Sequence, residues 1–107
     1  MGKWYILHNG QTMPCSFNAF LEWSRKNRKA CQIASTKVGK AEVSTVFLGL
    51  DHQHWRGSPP LLFETMIFGG PHDEYQRRYS TNEEAIAGHA EAVALAQNPD
   101  PPEQDSA

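Results

Sequence analysis

The chain has 107 residues, of which 39% are hydrophobic and 21% charged, with a net charge of −2; this excludes a disordered polymer and fits one small globular domain. The balance hides an asymmetry: residues 1–40 carry seven basic side chains against Glu22 alone, a net of +6, and the rest carries three basic and eleven acidic, a net of −8. Cys15 and Cys31 make no CxxC pair and no metal-ligand spacing, so two reduced thiols in a cytoplasmic protein are expected, and no apolar run is long enough for a signal peptide or a membrane span.

Taken in order, residues 4–7 (WYIL) read as a first strand. Asn9-Gly10 is the dipeptide that accepts positive φ in a hairpin turn, so residues 11–13 are expected to fold back briefly before Pro14 breaks the pattern. Ser16 can cap a helix. Phe17, Phe20, Leu21 and Ser24 follow helical spacing with Trp23 widening the stripe, which predicts a helix over about residues 16–27. It ends in the basic run RKNRK (25–29). That run reads either as a site for a phosphate or an acidic partner, or as a solvated helix end whose cations complement the helix dipole.

Residues 30–38 predict a strand, with Gly39-Lys40 turning into the next. The runs at 41–50 and 60–69 are rich in β-branched and aromatic residues. Val43, Thr45 and Phe47 share one face of the first run, and Val46, Leu48 and Leu50 the other. Two apolar faces predict a strand covered on both sides, central in its sheet. Gly69-Gly70-Pro71 ends the second run, and Tyr79 adds a short edge pairing. Thr81-Asn-Glu-Glu84 is a capping box that starts a helix over about residues 82–97. Its expected sheet-facing stripe is Ile86, His89, Ala90, Val93 and Ala96. Residues 98–107 hold three prolines, three acids and no large apolar residue, which predicts a disordered acidic tail. The expected fold is α+β: one domain over residues 1–97, built on a small, mainly antiparallel sheet of about four strands with two helices.

The segments VSTVFLGLDH (43–52), PPLLFETMIFGGP (59–71) and RYSTNEEAIAGH (78–89) resemble a widespread family of small proteins encoded by bacteriophages and prophages. The resemblance covers most of residues 3–95, and the segment HQHWRGS is where this chain is most individual. It implies a context: an accessory protein made in the cytoplasm of a bacterial host cell, of the kind that blunts host defence by binding a host protein or capturing a small signalling nucleotide.

Three chemistries are open to the residues themselves. Glu64 stands inside an apolar strand, where a carboxylate is costly unless paired or wet. It is either a pocket-floor acceptor or a group that faces solvent or pairs with Arg77 or Arg78. Trp55, Arg56, Tyr75, Arg77, Arg78 and Tyr79 lie in the segments flanking that strand. Aromatic faces stack bases and arginines fork onto phosphates, so with Glu64 they form the expected ligand site for a nucleotide-like molecule. The same residue types are enriched at protein–protein contacts. Asp51, His52 and His54, with His72, Asp73 and Glu74, are weak candidates for a divalent metal, and the spacing matches no strong metal signature.

No P-loop, nucleophile–base pair or paired carboxylates are visible, so catalysis is the weaker class. No cofactor and no specific duplex DNA are expected. The function expected first is sequestration of a signalling nucleotide without turnover. The alternatives are a protein-binding inhibitor of a host defence component and a metal-dependent hydrolase. Phe47, Leu48, Phe63, Ile67 and Phe68, with Trp4 and Trp23, offer more apolar surface than two modest helices cover, so a homo-oligomer is also expected.

Overall fold

The computed structural model describes residues 4–51 and 57–98. The chain runs β1 (Trp4–His8), β2 (Gln11–Cys15), α1 (Phe17–Lys26), one 3-10 turn (Lys29–Cys31), β3 (Gln32–Val38), β4 (Ala41–Phe47), β5 (Phe63–Phe68), β6 (Gln76–Tyr79) and α2 (Asn82–Ala96). β1 and β2 make a two-stranded ribbon, and β3-β4-β5-β6 an antiparallel meander of four strands. This is the expected α+β fold, with β4 and β5 adjacent, antiparallel and central. The expected tail falls almost wholly outside the described residues.

The ribbon turns at Asn9 (φ 52°) and Gly10 (φ 79°), as the dipeptide requires. Pro14 does not break it. It sits inside β2 opposite Tyr5, tolerated because β2 pairs along one side only and needs no donor on the other. Ser16 then caps α1, its Oγ accepting from the Ala19 N–H at 3.1 Å. No residue of α1 is fully buried. The helix rests on the ribbon through Trp4, whose ring lies 4.9 Å from Phe17 and 4.7 Å from Phe20.

β4 differs from its expectation of two covered faces. Ala41, Val43, Thr45 and Phe47 are buried, while Glu42, Ser44 and Val46 between them are only half-buried. The strand is central within the sheet, but α2 covers one face. The two central strands are also shorter than their apolar runs. Leu48 N–H donates to Leu62 O at 2.7 Å, and then the positive φ of Gly49 (78°) bends the chain away. Gly49 O accepts from Tyr5 N–H at 2.8 Å, so the end of the run serves the ribbon instead of the meander.

α2 begins in the expected capping box: Glu84 N–H donates to Thr81 Oγ1 at 3.0 Å, and Thr81 N–H to Glu84 Oε1 at 3.2 Å. Its buried stripe is rotated from the expected one. Ala85, Gly88, His89 and Ala92 are buried, whereas Ile86 is 54% exposed and Ala90 is exposed too. The reason is close approach: a Cβ on Gly88 would stand 2.2 Å from the Tyr79 ring. Small residues let the helix settle onto β6, and that outweighs burial of Ile86.

Beneath α2, Phe63, Leu62, Ile67 and Val43 are fully buried, each contributing about 1.5–3 kcal/mol. A polar line crosses the same layer. Thr36 Oγ1 meets His89 Nε2 at 2.9 Å, His89 Nδ1 meets Thr45 Oγ1 at 2.7 Å, and Thr45 meets Thr65 hydroxyl to hydroxyl at 2.5 Å. The imidazole is thus satisfied on both nitrogens inside the helix–sheet interface.

Candidate functional site

Among the described residues, no helix crosses the other face of the sheet. Strand alternation places Glu42, Ser44 and Val46 of β4, Glu64, Met66 and Phe68 of β5, and Gln76 and Arg78 of β6 on it. Cross-strand pairing sets Glu64 directly between Val46 and Arg78. Glu64 Oε2 accepts from Arg78 Nε at 3.0 Å and also from the Gln76 amide. The Glu64 side chain is 11% exposed and that of Arg78 35%. A carboxylate this covered needs two charge-assisted or amide donors to stay in place, and it has them. The bond uses only Nε of the guanidinium, so Arg78 is oriented while its two terminal nitrogens remain donors toward solvent or a partner.

Around this pair the face is mixed. Val46 and Met66 are half-buried and Phe68 is 50% exposed. Ser35 donates to Glu42 at 3.0 Å. Among the described residues of this face, Lys37 and Arg78 balance Glu42 and Glu64.

The expected ligand residues divide between the two faces of the sheet. Glu64 and Arg78 come together on the open face. Arg77 and Tyr79 point to the helix side. Arg77 Nη1 stands 3.9 Å from Glu91 Oε1 of α2, and the Tyr75 phenol beside it raises its pKa. The Tyr79 ring packs over Gly88. Its hydroxyl is buried beside Thr65, and burial pushes its pKa up against the opposing pull of that threonine. Tyr75 packs against the core cluster of Val43, Ile67 and Ala92. Trp55 and Arg56, with His52 and His54, lie outside the described residues. Gln76 is the group that sequence reasoning missed. Its signal was the two-residue step from Gln76 to Arg78, which puts both on one side of a strand.

Of the remaining candidates, His72 is buried with its Nε2 unpaired among the described residues, while Asp51 and Asp73 are committed locally. Asp51 Oδ1 accepts from Leu61 N–H at 3.1 Å, closing the neck of the 51–61 connection. Asp73 Oδ1 accepts from Gly69 N–H at 2.8 Å and holds the turn after β5. Among the described residues no three His, Cys, Asp or Glu side chains gather as a metal site. Cys15 and Cys31 are both free, and burial pushes each thiol above its ordinary pKa, the opposite of an activated thiolate. No described helix is long and apolar enough to cross a membrane. The basic side chains of the run at the end of α1 are exposed, with Lys26 3.5 Å from Glu22, a spacing worth a few tenths of a kcal/mol at most.

No protein-family profile, no curated protein and no solved structure matches this chain.

Proposed function

We propose that this is a phage accessory protein that works in the cytoplasm of a bacterial cell by holding a host protein against the open face of its four-stranded sheet, without turnover. The observation that carries this reading is the Glu64–Arg78–Gln76 cluster, set among Val46, Met66 and Phe68 on a face that no described helix covers. A pre-oriented arginine beside half-exposed apolar groups is the composition of an interface centre. The family resemblance supplies the biological context.

Size sharpens the reading. Four strands about 4.8 Å apart and about 20 Å long span roughly 400 Å², about half of what one side of a standard interface buries. The partner is therefore expected to reach beyond the sheet edge. The nucleotide reading wanted Arg77, Arg78, Tyr79 and Glu64 on one surface, and it keeps only Glu64 and Arg78 there. Of the apolar groups that pointed to a homo-oligomer, Phe47, Phe63 and Ile67 are buried within the chain and Phe68 alone is exposed.

The test is site-specific photo-crosslinking in the bacterial cell, with the reactive side chain at Met66 on the open face or at Ala94 on the exposed side of α2. A single host protein captured from Met66 and not from Ala94 supports the proposal. Equal capture from both positions contradicts it. So does an adduct at twice the mass of the chain, which would assign the face to self-association.

A further inference from the structure

The turn of the ribbon reaches over the start of α2: a Cβ on Gly10 would lie 3.8 Å from the Asn82 amide. Two adjoining hollows open there, of about 520 and 450 Å³, sharing Asn9, Gly10 and Asn82. Both volumes are within the range of small-molecule sites. Neither is lined by Glu64 or Arg78; Gln32, whose amide reaches Ser44 on the open face at 3.3 Å, borders the inner one.

The inner hollow is bordered by Leu7, Trp23, Ile33 and Ile86. Trp23 is held in place from behind, edge-on to Phe47 with ring centroids 5.7 Å apart and planes at 85°. The backbone carbonyl of Trp23 accepts from the Asn27 amide at 2.8 Å. A fixed indole is a stacking platform that loses little entropy when a ring lies on it. Ile86 is the residue that helical periodicity assigned to the core, and it stands 54% exposed beside this indole.

Polar character and charge narrow the occupant. Asn9, Gln11 and Asn82 border the outer hollow, and a side-chain amide offers both a donor and an acceptor. Among the described residues, Glu83 is the single charged residue lining either hollow. The N-terminus of α2, where an anion would otherwise sit, is already occupied by the chain's own Glu84 carboxylate, which accepts from Ser80 and Thr81 N–H at 3.0 and 3.2 Å. Among the described lining residues a phosphate would meet Glu83 and no cation.

From these features we infer that the cleft between the β1–β2 turn, α1 and α2 binds an uncharged planar heterocycle with a donor–acceptor edge, a nucleobase or a nucleoside without phosphate. The ring stacks on Trp23 against Ile86, and the amides read its edge.

The test is a heteronuclear NMR titration of the full chain with adenosine, guanosine, cytidine and uridine, each beside its 5′-monophosphate. A nucleoside should shift the amide signals of Gly10, Thr12, Asn27 and Asn82, and its monophosphate should bind about fivefold more weakly, repelled by Glu83. Ile86→Lys, at an exposed position, should abolish the response while leaving the rest of the spectrum in place. Asn82→Ala should weaken it, and serves if Ile86→Lys does not fold. No shift with any nucleoside at millimolar concentration overturns the inference. So do shifts centred on Glu64 and Arg78, or a monophosphate that binds more tightly than its nucleoside.

Discussion

Glu64 and Arg78 face each other across the β5–β6 ladder, with Nε 3.0 Å from Oε2, on the side of the sheet away from α2. Arg77, one residue earlier, lies on the opposite side and reaches Glu91. The period of a strand has separated two adjacent arginines into different roles. Arg78 is held ready on an open surface, and Arg77 ties the edge strand to a helix.

Arg78→Ala removes one of the two donors that hold a nearly buried carboxylate. It should lower stability by about 1–3 kcal/mol, because the cost is set by the group left behind. Glu64→Gln keeps an acceptor oxygen for the guanidinium and should cost less. Urea denaturation of both variants and of the double variant measures the coupling. Additive losses, with no coupling in the double variant, would mean that the pair is not what holds Glu64.

Gly88→Ala reverses the usual rule. Alanine is favoured over glycine within a helix by about 1 kcal/mol. Here the new Cβ would stand 2.2 Å from Tyr79, so helix or ring must move. The expected result is a net destabilisation of about 1–3 kcal/mol by thermal denaturation. Gly49→Ala should be at least as damaging. That position has a φ of 78° and its Cβ would stand 2.2 Å from the Phe20 ring, so strain and clash add.

His89 predicts a pH dependence. Burial lowers its pKa from the ordinary imidazole value, about 6.5 in the unfolded chain. A base whose folded pKa is depressed resists the proton that the unfolded chain accepts. Its contribution is therefore fully present above about pH 6.5 and is lost as pH falls through that value toward the folded pKa. Melting temperature should drop between pH 7 and pH 5 more steeply in the wild type than in His89→Gln. Parallel curves would show that the imidazole contributes nothing to the slope.

The architecture was legible where local chemistry decides it. Asn9-Gly10 gave the ribbon turn, Ser16 and the Thr81–Glu84 box gave the helix starts, and the two apolar runs gave the central strands. What escaped was set by tertiary packing. Pro14 reads as a breaker until its strand is known to be an edge. Ile86 reads as core until Gly88 is seen to admit the Tyr79 ring, which rotates α2 about its axis. Glu64 was legible as a carboxylate in need of a partner. Its choice of Arg78 over Arg77 follows from which residue lies opposite it on β6, a register that composition does not encode.

The most direct measurement of the central claim is calorimetric titration of the partner captured from Met66 into the wild type, Arg78→Ala and Arg77→Ala. If the open face is the binding surface, Arg78→Ala should weaken binding by about 2 kcal/mol, roughly thirtyfold, while Arg77→Ala stays within about twofold. Equal losses from the two arginines, or a loss confined to Arg77→Ala, would contradict the assignment of binding to the open face.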